Sequence, residues 1–130
     1  MKRFAVCLVA LASWVLPARA HFIWIVPDAK DASKLVVVFS EALEPDDAVD
    51  IATIASTKLV AQDRAGKAVP LDWKKGEHAF HVDLPPSSTA VGGACHYGVL
   101  QRGDAKPFLL NYYPKLVRGE LKADVTFDTL

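Results

Sequence analysis

Residues 34–40 have the sequence Lys-Leu-Val-Val-Val-Phe-Ser, and this stretch decides the class of fold. The five consecutive residues Leu35 to Phe39 are all apolar. A short, continuous apolar run of this kind is typical of a strand that is covered on both faces, rather than of one with an exposed face. The stretch therefore predicts a buried strand, which needs partner strands elsewhere in the chain.

Further short strands, separated by turn residues, are predicted on both sides of this stretch. They cover residues 21–26, 57–62, 67–73, 78–84, 94–101, 108–116 and 121–127. Gly66 supplies the left-handed residue that a hairpin loop over residues 63–66 needs. Residues 121–127 alternate between apolar and polar side chains, which is the clearest half-buried pattern in the chain. Seven or eight strands at this spacing predict an all-β fold, an antiparallel immunoglobulin-like β-sandwich.

One short helix is expected in addition to the strands. Pro45 suits the first position of a helix, and the acidic residues beside it complement the helix dipole. Val49, Ala52 and Ala55 continue an apolar stripe over two or three turns. Farther along, Gly92-Gly93 is expected to be a flexible entry to the next strand.

The first twenty residues have the pattern of a secretory signal peptide. A basic start is followed by an apolar stretch and by Ala18-Arg19-Ala20, a small-x-small cleavage motif. The predicted organisation is a signal peptide over residues 1–20 and one β-sandwich domain over residues 21–130. The expected location of the mature protein is the periplasm or the extracellular medium.

Composition excludes some classes of partner. Removal of Lys2, Arg3 and Arg19 with the signal leaves 12 basic against 15 acidic residues, a net charge of about −3. The absence of a basic run argues against nucleic acid as a partner. After signal cleavage, the remaining apolar runs are too short to span a bilayer.

Cys95 is then the one cysteine left, so no internal disulfide can form, and a buried thiol is the expected state.

Cleavage after Ala20 would make His21 the N-terminal residue. An N-terminal histidine can chelate one ion through both its α-amine and a ring nitrogen. The α-amine titrates near ~7.7–8.0, so a metal can displace its proton at neutral pH. His21 is therefore the leading candidate for a metal ligand.

A third nitrogen is expected from His96 or His81. Alternation along a strand turns His78 and His81 to opposite faces, and the neighbours Cys95 and His96 likewise diverge unless a bulge intervenes. Three nitrogens in a T-shaped plane suit Cu(II), or Ni(II) in a square arrangement, so copper or nickel is the expected ion. A blue-copper site fits less well because the one methionine, Met1, is removed with the signal. His78 is expected to be a solvated residue at a strand edge.

Three segments of the mature chain carry a family resemblance. They are residues 21–27, residues 37–41 with Glu44-Pro45-Asp46, and residues 97–100 followed by 107–113. These segments resemble a family of exported bacterial proteins of unassigned function, which is described by analogy with periplasmic components of nickel or cobalt uptake systems. The resemblance implies a β-sandwich and transition-metal handling outside the cytoplasm, with His21 the candidate ligand that carries over. Longer members of the family add a second sandwich-like domain, so a function formed between two domains is not implied.

The sequence favours a binding protein over an enzyme. No Gly-x-Ser-x-Gly elbow or phosphate-binding glycine loop is present. We expect a carrier or buffer for copper or nickel that exchanges the ion with an envelope transport or delivery protein. One alternative is a metal-free envelope module that binds protein or carbohydrate through a sheet face. Another is a copper oxidase acting on polysaccharide, which would need a broad flat surface with exposed aromatic side chains.

Overall fold

A computed structural model describes residues 20–119, which form nine strands in two antiparallel sheets. The strands are β1 (Phe22–Pro27), β2 (Lys34–Ser40), β3 (Lys58–Asp63), β4 (Ala68–Leu71), β5 (Trp73–Lys75), β6 (Phe80–Asp83), β7 (Ser88–Leu100), β8 (Phe108–Tyr112) and β9 (Lys115–Val117). The signal peptide, apart from Ala20, and the predicted strand over residues 121–127 lie outside the described residues.

The two sheets share one core and give a β-sandwich-like, all-β architecture, as the sequence predicts. One sheet has the order β1-β2-β6-β5, and the other has the order β4-β3-β7-β8, with β9 also paired to β7. Alternate residues of β2, such as Leu35 and Val37, are fully buried together with Phe80 from β6 and Val91 from β7. The stretch from Leu35 to Phe39 is thus a central strand, paired with β1 on one side and β6 on the other.

Val38 shows why this strand has a continuous apolar sequence. It is 1% exposed although it is next in sequence to Val37 and Phe39, which belong to the shared core. Val38 lies with Val36, Leu43 and Pro45 around a groove on the outer side of the four-stranded sheet. The segment after β2 therefore covers part of the outer face, so β2 is apolar on both faces.

The predicted helix is wrong in length and in kind. In its place the structure has a single 3₁₀ turn, Ile51–Ile54. The side chains of Asp46 and Asp50 accept hydrogen bonds from the backbone N–H groups of Ala48 and Ala52, both at 2.9 Å. These local bonds favour turns over a helix, and the β-branched residues in the segment add little helix propensity. In the described part of the chain, no helix has the length and apolar character needed to cross a membrane.

Three further predictions about the strands differ from the structure. The strand expected over residues 67–73 divides at Asp72, where the chain passes from the five-stranded sheet to the four-stranded one. The strand expected over residues 108–116 divides before Pro114 into β8 and β9. Gly92-Gly93 is not a flexible entry but lies within β7. A Cβ atom on Gly93 would come within 2.9 Å of the Leu59 side chain, so close packing of β7 on β3 explains the glycine.

Candidate functional site

His21 lies immediately before β1, at the end of the four-stranded sheet. Its ring packs on Phe39, with 5.5 Å between the ring centroids. Its Nε2 atom is 3.4 Å from the Asp46 Oδ2 atom, and the His21 side chain is 25% exposed. The Tyr112 hydroxyl donates a hydrogen bond to the His21 carbonyl at 3.2 Å. Contacts from three other segments therefore position both the ring and the backbone of this residue.

Three aromatic rings form the inner wall beside His21. Phe39, Tyr97 and Tyr112 contact one another with centroid separations of 5.7 Å in all three pairs. Two of these pairs are edge-on, which is a favourable geometry for aromatic quadrupoles. Burial raises the pKa of the Tyr112 phenol, and the neighbouring Tyr97 adds to this effect. Tyr112 therefore keeps its hydroxyl proton and remains a hydrogen-bond donor at neutral pH.

A β-bulge in β7 lies at the position of Tyr97. His96 pairs with Asn111 and Gly98 pairs with Leu110, so Tyr97 is an extra residue with no opposite partner. Gly98 has φ +127°, a backbone conformation that side-chain-bearing residues rarely adopt. Bulges of this kind redirect side chains and are common beside functional sites.

The loop between β2 and the 3₁₀ turn carries three aspartates, each of which faces a basic side chain. Asp46 faces His21, as described above. Asp47 Oδ1 is 3.8 Å from His78 Nε2, and Asp50 Oδ1 is 3.8 Å from Lys75 Nζ. The last two pairs involve strongly exposed side chains, so each is worth little in stability. Together they tie the loop to the β5–β6 hairpin, while Asp46 ties it to His21.

The other predicted ligand, His96 or His81, has neighbours outside this group. His96 is exposed on β7, and its Nδ1 atom is 2.9 Å from the Asn111 Oδ1 atom. His81 is exposed on β6, opposite Val36, and lines the outer groove. Among residues 20–119 there is no group of three or more His, Cys, Asp or Glu side chains placed to hold a metal ion. The structure therefore does not gather His21, His81 and His96 into one cluster.

Two further predictions concern His78 and Cys95. The strand with His81 begins only at Phe80, so strand alternation does not govern His78, and both histidines line the outer groove. His78 lies in the turn between β5 and β6 rather than on a strand edge, and its side chain is 32% exposed with Nε2 3.5 Å from Glu77 Oε1. Cys95 is fully buried, as predicted, with its Sγ atom 3.3 Å from the Ser56 hydroxyl oxygen.

A cavity of about 500 Å³, here called the end cavity, opens beside His21. It lies between the end of the four-stranded sheet and the extension formed by β7 and β8. Most of its lining is apolar or aromatic, and its charged side chains are those of Asp50 and Arg102. Its volume falls within the range of ordinary small-molecule sites, which is about 300–1,000 Å³.

Several of these residues carry no direct signal in the sequence pattern. Asp46 belongs to an acidic run that is equally compatible with a helix start, and the partner of a carboxylate cannot be inferred without the tertiary structure. Tyr112 and Tyr113 are adjacent and identical in type, yet Tyr113 is 61% exposed while Tyr112 is half-buried. Comparisons with protein-family models, with curated proteins and with solved structures return no match.

Proposed function

We propose that this chain is an exported protein with an immunoglobulin-like β-sandwich, and that after signal cleavage it binds copper or nickel through N-terminal His21. The observation that carries the proposal is the 3.4 Å approach of the Asp46 carboxylate to His21 Nε2. A carboxylate on one ring nitrogen orients a metal-binding histidine and leaves the other nitrogen to the metal. The nitrogen left here is Nδ1, the one that can form a chelate ring with the α-amine of the same residue.

The donor set supports a carrier rather than a closed structural site. His21 would supply two nitrogens, and residues 20–119 contain no cluster that completes the coordination shell. Nitrogen ligands suit Cu(II) and Ni(II), and positions left open would accept a ligand from solvent or from a partner. An ion held in this way can be passed on, which fits exchange with an envelope transport or delivery protein. A periplasmic or secreted location belongs to the same proposal.

The test compares two forms of the mature protein. One begins at His21, and the other carries a single alanine before His21, which converts the α-amine into an amide. Calorimetric titration with Cu(II) and Ni(II) should show affinity lower by about 100-fold or more in the extended form. Circular dichroism of both forms checks that the fold is unchanged. Equal affinity in the two forms, or binding by neither, contradicts the proposal.

Variants of the other two histidines complete the test. His96→Ala and His81→Ala replace exposed side chains, so both should fold normally. We expect both to retain the affinity of the form that begins at His21, because neither ring belongs to a described three-ligand group. A loss of affinity in either variant would identify a third ligand and contradict a site built on His21 alone.

A second candidate function, a metal-free interaction module of the cell envelope, is favoured by the outer groove. This groove of about 420 Å³ has Val26, Val36 and Leu43 among its lining residues, with His78 and His81 also present. An apolar depression on a sheet face is a common feature of binding surfaces. A metal-free interaction would leave partner binding the same after chelation of metal and after extension of the N-terminus. Co-purification of envelope partners with both N-terminal forms distinguishes the two functions.

A further inference from the structure

The end cavity is much larger than a metal ion requires. A volume of about 500 Å³ with a mainly apolar lining is suited to an organic molecule. Leu100, Phe108 and Leu110 from the β7–β8 extension line this space together with Phe39, Tyr97 and Tyr112. The proposed metal site alone therefore does not explain the volume and the apolar lining of the cavity.

Arg102 is the positively charged side chain in this lining. It follows β7 and lines the end cavity, and none of the carboxylates in residues 20–119 pairs with it. The guanidinium charge lowers the pKa of Tyr112 against the larger effect of burial, which is consistent with a position near the cavity wall. A guanidinium that pairs with no carboxylate of the described residues can form a bidentate pair with the carboxylate of a ligand.

The acidic residue of the cavity lining, Asp50, already has partners. Asp50 Oδ1 accepts a hydrogen bond from the Ala52 backbone N–H at 2.9 Å and lies 3.8 Å from Lys75 Nζ. The Asp50 charge is thus partly compensated, whereas no carboxylate of residues 20–119 pairs with Arg102, so the lining favours an anion over a cation.

We propose that the end cavity binds a small organic acid, with its carboxylate on Arg102 and its apolar part against Phe39, Tyr97 and Tyr112. The apolar part would be covered by aromatic side chains, and the carboxylate would remain near the exposed rim. The Tyr97 and Thr53 hydroxyl groups belong to residues of the same lining and could accept or donate hydrogen bonds to the ligand. This activity does not depend on the proposed metal site.

Three probe molecules separate the contributions of charge and apolar surface. 3-Phenylpropionate has both features, 3-phenylpropan-1-ol lacks the charge, and acetate lacks the apolar part. Titrations monitored by ¹H–¹⁵N NMR use chelator-treated protein, so that no metal contributes. We expect 3-phenylpropionate to bind at least about tenfold more tightly than either of the others, with shifts at residues that line the cavity. Equal binding of all three probes, or no binding at millimolar concentrations, overturns the proposal.

Two charge variants test the role of Arg102. Arg102→Gln and Lys106→Gln each remove one exposed positive charge from the same loop, but Lys106 is not part of the cavity lining. We expect Arg102→Gln to weaken 3-phenylpropionate binding by roughly tenfold or more, because a charge-assisted pair is lost. Lys106→Gln should have no such effect, and 3-phenylpropan-1-ol should bind equally to both variants. Equal loss in the two variants would indicate general electrostatic attraction and contradict a site at Arg102.

The metal titration provides a separate readout. Arg102→Gln in the form that begins at His21 should bind Cu(II) as the parent protein does, because Arg102 is not a metal ligand. If 3-phenylpropionate does not bind but Cu(II) does, the proposal of a carboxylate site in the cavity is refuted and the metal proposal is not. If Cu(II) does not bind but 3-phenylpropionate does, the metal proposal is refuted and the cavity proposal is not.

Discussion

In the middle of the molecule Phe80 is fully buried and stacks on Trp73, whereas at the His21 end Phe22 is 49% exposed beside an open cavity. Both regions are built from the same two sheets. The middle consists of regular alternation, in which each strand turns every second side chain into the core. The His21 end contains a bulge, a glycine with positive φ and an acidic loop. The comparison shows that regular packing gives stability, while departures from regularity create the space and polar groups that binding requires.

The largest expected effect is on stability in the middle of the molecule. Phe80→Ala should lower the free energy of unfolding by about 3–5 kcal/mol, since it removes a fully buried ring and leaves a cavity. Phe22→Ala should cost roughly 1.5 kcal/mol or less, because about half of that ring is already in solvent. Urea denaturation of both variants measures the difference. Similar losses of stability would mean that Phe22 is packed as well as Phe80.

The next effect concerns the orientation of His21. Asp46→Asn removes the charge that faces Nε2 but keeps an oxygen for the Ala48 backbone N–H. We expect metal affinity to fall by about 10- to 100-fold, the usual range for loss of a carboxylate that orients a histidine ligand. Asp47→Asn is the matched control because it alters the adjacent pair with His78. If calorimetry gives the same metal affinity for both variants, Asp46 does not orient the His21 ligand.

A third prediction addresses the bulge. Gly98→Ala places a Cβ atom at φ +127° and should cost about 1–3 kcal/mol in the free energy of unfolding through backbone strain. Gly103→Ala is the control, because its φ of +53° lies in the left-handed region that other residues can enter at lower cost. Both positions have open space around an added Cβ atom. Thermal denaturation should therefore rank Gly98→Ala as the less stable variant, and the reverse order would show that the bulge tolerates a side chain.

The smallest expected effect comes from the phenol that holds the His21 backbone. Tyr112→Phe removes the hydrogen bond to the His21 carbonyl and should lower stability by about 1 kcal/mol at neutral pH. Because burial raises the Tyr112 pKa, the unfolded chain ionises first, near its ordinary value of 10.0. The wild-type protein is then fully stabilised below pH 10 and loses stability as the pH rises through the folded pKa.

The variant Tyr112→Phe lacks this contribution. Urea denaturation at pH 8 and at pH 10.5 should show a steeper loss for the wild type than for the variant. Tyr113→Phe is the control, since that ring is 61% exposed. Parallel pH profiles for wild type and Tyr112→Phe would contradict a raised pKa at this position.

The sequence was sufficient for the strands of the middle but not for the architecture of the His21 end. Apolar runs and alternation predict β2 and the Gly66 hairpin correctly because these patterns reflect burial and local turn geometry. They do not predict the division at Asp72, where adjacent segments join different sheets, because strand pairing is non-local. The expected helix failed because Asp46 and Asp50 bond to nearby backbone N–H groups, a competition that apolar periodicity does not register.

The candidate site was predictable only in part. The cleavage motif predicts that His21 is the N-terminal residue of the mature chain, and this remains a prediction. Its contacts with Asp46 and Tyr112 join residues that are 25 and 91 positions apart in sequence. Pairings over such distances depend on which sheet each strand joins, and the sequence pattern does not specify this.

Trp73 connects the two sheets in a way that makes it an optical reporter. Its ring stacks on Phe80 at 3.9 Å between centroids, and its indole N–H donates to the Thr57 carbonyl, just before β3, at 3.1 Å. Trp73 and Phe80 belong to the same sheet, so separation of the sheets would break the hydrogen bond to Thr57 and change the polarity around the indole. In a Trp24→Phe form that begins at His21, Trp73 is the one tryptophan left, so its emission wavelength follows the opening of the core in real time.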